Sequence, residues 1–184
     1  MRVVISGVAG VGKSTVLDLV KKGTNYDIIN FGTLMFEMAK DIGLVENRDG
    51  LRKLSVDTQI NLQKKASAAI GKMDSVIIDT HMSIKSHGGY LPGLPEWVIR
   101  ELKVGAYFVI EADPSLVLSR RATDSTRDRD AATENDIRMD QEINRYYAAA
   151  YSVFTGATVN IIENPEGKPN IAANTIISRL RTDD

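Results

Sequence analysis

The segment Gly7-Val8-Ala9-Gly10-Val11-Gly12-Lys13-Ser14 satisfies the spacing G-x-x-x-x-G-K-[ST]. It follows the apolar run Val3-Val4-Ile5 and precedes an apparent helix, the strand-to-helix context in which the pattern has mechanical meaning. Glycines let the backbone curl until successive N–H groups face inward, and the helix starting near Lys13 adds the positive end of its dipole. The result is an anion cradle. Lys13 is placed to reach the β- and γ-phosphates of a nucleoside triphosphate, the Ser14 hydroxyl to ligate Mg²⁺, and Thr15 to back up the α-phosphate. The alternative is a glycine-rich turn with no such role, and Lys-Ser at its end argues against it.

Other short apolar runs occur at residues 26–30, 76–79, 106–111 and 158–163. Continuous apolar runs predict strands buried on both faces, with helices as their covers. Asp113-Pro114 reads as an N-cap followed by proline at the first helical position, opening a helix over 115–122. Thr133-Glu134-Asn135-Asp136 has capping-box spacing, and the helix it opens runs to Thr155, where Gly156 supplies a stop. The expected fold is therefore α/β, a three-layer arrangement with a five-stranded parallel sheet and helices on both faces. Ligands in such sheets bind outside the carboxyl ends of the strands. At 184 residues, one domain over 1–184 is expected.

Composition limits the partners. Lys plus Arg (23) nearly balances Asp plus Glu (24), so no general positive field gathers nucleic acid or an anionic membrane. The absence of cysteine excludes disulfides, a thiolate zinc site and an iron–sulfur centre, and fits a cytoplasmic location. The apolar run at the N-terminus is too short for a signal-peptide core or a membrane span.

The phosphate loop alone is shared by GTPase switches, motors and small-molecule kinases. No Asn-Lys-x-Asp guanine motif is present, and the run ending at Glu111 continues Ala112-Asp113-Pro114 instead. A motor needs more chain. The remaining option is an enzyme that binds ATP and a second, small phosphate acceptor, with Mg²⁺ carried in by ATP. Arg120, Arg121, Arg127 and Arg129 form a cluster able to fold over polyphosphate, since the arginine fork holds phosphate oxygens bidentately. The plainer alternative is a solvated loop in which they pair with Asp124, Asp128 and Asp130. Asp79, at the end of a buried strand beside the loop, is expected to organise Mg²⁺ and its waters; capping a turn is its alternative role. His81 and His87 lack metal-ligand spacing and read as pocket lining or surface. Trp97, Phe108, Phe154, Tyr146, Tyr147 and Tyr151 read as packing residues, whereas Tyr90, in a glycine-rich loop, divides between base stacking and packing.

Taken together, these segments resemble the archaeal branch of the adenylate kinases over essentially the whole chain. The likeness is carried by Asn30-Phe31-Gly32-Thr33-Leu34-Met35-Phe36-Glu37, Arg48-Asp49-Gly50-Leu51-Arg52-Lys53-Leu54 and Asp79-Thr80-His81. It continues through Gly89-Tyr90-Leu91-Pro92-Gly93-Leu94-Pro95, Arg120-Arg121, Thr126-Arg127-Asp128-Arg129-Asp130 and Thr155-Gly156-Ala157-Thr158-Val159. The resemblance implies a P-loop kinase fold with an AMP-binding segment at 30–73 and a short lid at 121–132. It also implies the reversible conversion of ATP and AMP to two ADP, and a homotrimer. Thr33 looks like the AMP-contacting threonine and Arg52 like an AMP-phosphate ligand, with His81, Lys85 and Tyr90 completing that side. Gly156 and Ala157 resemble the loop against the ATP adenine, and Arg120, Arg121, Arg127 and Arg129 look like lid and transition-state arginines. Bacterial and eukaryotic relatives carry Gly-Phe-Pro-Arg after the third-strand Asp, where this chain has Thr80-His81-Met82-Ser83-Ile84-Lys85. The AMP-binding arginine expected there is missing, and Lys85 or Arg52 is the expected substitute. A kinase for another small acceptor and a non-catalytic nucleotide-sensing module are the alternative functions.

Overall fold

The computed structural model describes residues 1–123 and 132–181. Arg127 and Arg129, and most of the expected lid, lie outside them.

Five parallel strands form the central sheet: β1 (Arg2–Gly7), β2 (Asp27–Asn30), β3 (Val76–Asp79), β6 (Ala106–Glu111) and β7 (Thr158–Glu163), in the order β2-β3-β1-β6-β7. Their side chains alternate between two hydrophobic layers, as the two-residue period of a strand requires. On one face Val3, Ile5, Ile77, Phe108 and Ile110 pack with α1 (Lys13–Gly23), α5 (Pro114–Thr123) and α7 (Pro169–Arg181) through Val16, Val20, Val117 and Ile176. On the other, Val4, Ile78, Tyr107 and Val109 pack with α3 (Val56–Ile70), α4 (Glu96–Leu102) and α6 (Glu134–Thr155) through Ile70, Val98, Leu102 and Tyr151. The remaining helix, α2 (Phe31–Asp41), joins α3 in a separate small cluster built on Ala39, Val45 and Leu62.

The expected caps are present. Asp113 Oδ1 accepts from the backbone N–H groups of Ser115 (2.9 Å) and Leu116 (3.4 Å) at the start of α5. Thr133 and Asp136 form a reciprocal capping box on α6, and Gly156 ends that helix in the left-handed conformation at φ 72°.

Three expectations need correction. The runs 26–30 and 158–163 are not buried on both faces: β2 and β7 are the two edges of the sheet, so no residue of 26–30 is fully buried and Ile162 alone is so in 158–163. Phe154 and Tyr146 are not packing residues, with 76% and 64% of their surfaces exposed on the outer side of α6. The glycine-rich segment after Asp79 is not a loop but an antiparallel hairpin, β4 (Ser83–Ser86) and β5 (Gly89–Pro92), paired from Ser83↔Pro92 to Ser86↔Gly89. Ser-Ile-Lys-Ser and Gly-Tyr-Leu-Pro separated by two residues is a hairpin signal, obscured by the short strands and mixed polarity.

The hairpin is fastened to the core at its base. Tyr151 Oη donates to Met82 O (2.6 Å) and accepts from Leu94 N (3.2 Å), both buried. Tyr151→Phe leaves these two backbone groups without the hydroxyl, and should cost about 1–3 kcal/mol of stability. Denaturant titration checks it; a loss below about 0.5 kcal/mol would mean the backbone pair finds another partner.

Candidate active site

Sheet register brings the site together. Asn30 pairs with Asp79, Asp79 with Ile5, and Gly7 with Ile110, so the carboxyl ends of β2, β3, β1 and β6 form one edge. The phosphate loop leaves β1 on this edge and enters α1 at Lys13. Its backbone depends on Gly10 and Gly12, at φ 87° and 89°, a region side-chain-bearing residues avoid. At Gly12 a Cβ would also fall 2.5 Å from Asn164 Nδ2.

Three side chains brace this loop from outside. Arg120 Nη1 and Asn164 Nδ2 both donate to Val11 O, at 3.3 and 2.8 Å, while Arg121 Nε donates to Ala9 O at 2.8 Å. The Val11 and Ala9 carbonyls are thereby satisfied by side chains, while Val11 N–H closes a turn on Val8 O at 3.2 Å. The sequence placed Arg120 and Arg121 here; Asn164 it did not signal. Asn164 is 2% exposed, follows β7 and donates its backbone N–H to Glu111 O at 2.7 Å.

Lys13 and Asp79 meet. The ammonium donates to Asp79 Oδ1 and, at 3.4 Å, to Thr80 O, with the two side chains 16% and 17% exposed. Asp79 Oδ2 accepts from Asn30 Nδ2 at 2.7 Å. Asn30 Oδ1 in turn caps α2, accepting from Thr33 N (2.9 Å), and also accepts from Thr33 Oγ1 (3.0 Å) and Arg48 Nη2 (3.0 Å). A continuous chain of polar contacts thus runs from the phosphate loop to the 30–73 segment. Asn30 and Arg48 were not singled out by the sequence.

Beside the loop, a cavity of about 260 Å³ is lined by Gly7, Val8, Ala9, His81, Lys85, Tyr90, Arg121 and Asp140, among others. His81, Lys85 and Tyr90 are therefore brought to the loop as expected. Lys85 Nζ lies 3.6 Å from Asp140 Oδ1 and 5.9 Å from the centre of the Tyr90 ring. Tyr90 Oη donates to Asp140 Oδ1 at 2.5 Å, and loss of solvent together with this carboxylate pushes the phenol up to about 12. It remains a protonated donor at neutral pH. The hairpin is further held by Ser83 Oγ on Asn144 Oδ1 (2.8 Å) and Tyr147 Oη on Tyr90 O (2.8 Å).

Two expected positions fall elsewhere. Arg52 is exposed near the end of the 3₁₀ helix Arg48–Lys53 and makes no hydrogen bond or ion pair among the described residues. Gly156 and Ala157 precede β7 at its amino end, the sheet edge opposite the phosphate loop, because β7 is parallel to β6. The segment after Glu163 is the part of this strand's path on the loop's side, with Asn164 on Val11 O. Among the described residues, no three His, Asp or Glu side chains gather as a metal-ligand set.

The chain is 62% identical, over 183 residues covering all of both proteins, to an adenylate kinase of Thermoplasma acidophilum. It is 58% identical over 181 residues to one of Thermoplasma volcanium (98% of this chain, 100% of the relative), and 45% identical over 187 residues to one of Methanocaldococcus jannaschii (97% of each). A family model described as an AAA domain matches residues 6–138. Among solved structures, the fold is shared with a shikimate kinase from Acinetobacter baumannii in complex with shikimate, at TM-score 0.64 and 15% identity over 100% of this chain and 94% of that one. It is shared also with the YorR protein of Bacillus subtilis in complex with phosphorylated GDP, at TM-score 0.64 and 17% identity over 100% and 97%.

Proposed function

We propose that this chain, which belongs to the adenylate kinase family, moves the γ-phosphoryl group of ATP, bound as its Mg²⁺ complex, to AMP, giving two ADP reversibly. The observation that carries this reading is the unbroken contact chain Lys13–Asp79–Asn30–Thr33, which joins a phosphate cradle to a second segment suited to an acceptor.

Each residue then has a physical task. The N–H groups of residues 7–14 hold the phosphates, and Lys13 leaves Asp79 for them, since a polyphosphate is the stronger partner. Ser14 and the freed Asp79 oxygen would hold Mg²⁺, the latter through water; the ion neutralises charge on the transferring group. Arg120 and Arg121 already face the loop, and Arg127 and Arg129, in a lid at 121–132, would close over it. On the acceptor side, 30–73 is the AMP segment, with Thr33 near the base and Lys85, His81 and Tyr90 lining the cavity. No general base is required, because the attacking group is already an anionic phosphate oxygen. Catalysis is positioning and electrostatic stabilisation.

A nucleotide panel tests the reading. Incubation with Mg²⁺, ATP and each nucleoside monophosphate should yield ADP in quantity only with AMP; faster transfer to another acceptor would overturn it.

The homotrimer and the cytoplasmic location belong to the same proposal. Val153 and Phe154 are 85% and 76% exposed at the end of α6, and two grooves flank Phe154, a mixed one lined by Ile99, Val104, Arg100 and Lys103 and an apolar one lined by Pro92 and Trp97. Such an apolar surface suits a second copy of the chain. Light scattering should give three times 20.2 kDa, and Phe154→Asp should shift the mass downward; an unshifted trimer would move the interface elsewhere. Among the described residues no helix is long and apolar enough to cross a membrane.

A further inference from the structure

Asn30 holds more donors than its oxygen has lone pairs. Three groups address Oδ1: Thr33 N, Thr33 Oγ1 and Arg48 Nη2, at 2.9, 3.0 and 3.0 Å. A carbonyl oxygen offers two lone pairs. The two Thr33 contacts belong to the first turn of α2 and come with the cap itself. Arg48 is different in origin, arriving from the exposed start of the 3₁₀ helix eighteen positions on. It is the replaceable partner.

Charge distinguishes Arg48 in the same way. Lys13, Lys85 and Arg145 are each paired with a carboxylate, on Asp79, Asp140 and Glu111 respectively. Arg48 has no carboxylate within ion-pair distance among the described residues. Its guanidinium rests on a neutral amide that is itself bonded to Asp79. Room for it is made by Gly32, where a Cβ would come within 3.0 Å of Arg48 Nη2 and 3.6 Å of Asn30 Oδ1. A full-time cation beside the junction of the two substrate segments, on a crowded neutral acceptor, is set to exchange that acceptor for an anion.

We propose that Arg48 is the arginine that takes the phosphate dianion of the acceptor, with Asn30 Oδ1 as its resting place when no acceptor is bound; this rests on the acceptor being a nucleoside monophosphate. The exchange replaces one bond to an amide by a bidentate, charge-assisted contact to phosphate. It also relieves Asn30 Oδ1, which keeps Thr33, while Asn30 Nδ2 stays on Asp79. The acceptor is thereby held by a group one side chain away from the carboxylate that faces Lys13. Arg52, on the same 3₁₀ helix but without a contact to the cleft, is the less suited of the two.

Initial rates with AMP and ATP varied separately test this. Arg48→Ala should raise KM for AMP about tenfold or more, the scale of a lost charge-assisted pair, with KM for ATP within about twofold. Arg48→Lys should recover part of the loss, because charge returns without the fork. Calorimetric titration of AMP into the ATP-free protein should show the same weakening. An Arg48→Ala protein whose KM and affinity for AMP stay within about twofold of wild type overturns the proposal, and a rise seen instead in Lys85→Ala or Arg52→Ala reassigns the phosphate. Absence of AMP-dependent ADP formation in the wild type would instead remove the acceptor reading beneath it.

Discussion

Lys13→Met lowers kcat by about a thousandfold or more, the scale set by losing a charge aimed at the transferring phosphoryl group. The methionine stem fills the same space, so the loss is of charge and not of packing. The ammonium is engaged with Asp79 and Thr80 O, contacts that hold the lysine at the loop so that it only has to change partner to reach phosphate. KM for ATP should rise much less than kcat falls, because the loop's N–H groups still bind phosphate. A cooperative melting transition is still expected, since Asp79 keeps Asn30 Nδ2 as a partner and the apolar layers are untouched. Turnover near normal would take Lys13 out of the mechanism.

Asp79→Asn is the second large effect, with kcat expected to fall about a hundredfold or more. The substitution keeps the shape and one acceptor oxygen, so Asn30 retains a partner, but Lys13 loses its counter-charge and the metal's waters lose a carboxylate. Two roles separate in the Mg²⁺ titration. If Asp79 organises the ion, the concentration of Mg²⁺ needed for half-maximal rate rises together with the fall in kcat. If kcat falls with an unchanged Mg²⁺ requirement, Asp79 serves to place Lys13. Wild-type kcat and Mg²⁺ dependence in Asp79→Asn would deny it both roles.

What was legible in the sequence was legible because a local rule determined it. The phosphate loop needs particular residues at fixed spacing, so Lys13 was legible at the start of α1; Arg120 and Arg121 stood out only as a cluster of arginines, and the structure puts them on loop carbonyls. Strands β3, β6 and β7 were bounded correctly by their apolar runs, and the Thr133 box gave the start of α6. What failed was whatever depends on the far end of a long path. Gly156-Ala157 looked like a base-binding loop, yet a parallel strand enters at one edge and leaves at the other, and only Asn164 beyond it reaches the phosphate loop. Arg52 and Arg48 lie on one turn-rich segment, and their spacing does not say which reaches Asn30; in the structure it is Arg48 that donates to Asn30 Oδ1. Phe154 read as core because aromatic residues usually bury, and the helix turned it outward.

The face of α6 that meets the hairpin has its own consequence. Asp140, Asn144, Tyr147 and Tyr151 follow one another at steps of four, three and four, the spacing that in a bundle helix carries leucines. Here the stripe ends in oxygens, each spent on a group of the hairpin or its base. Apolar packing fixes how near two elements lie but is indifferent to small rotations, whereas a row of hydrogen bonds fixes heading as well. The hairpin is therefore aimed and not merely docked. Any axial turn of α6, the helix that begins just beyond the expected lid, would swing Lys85 and Tyr90 with it like a tiller moving a rudder.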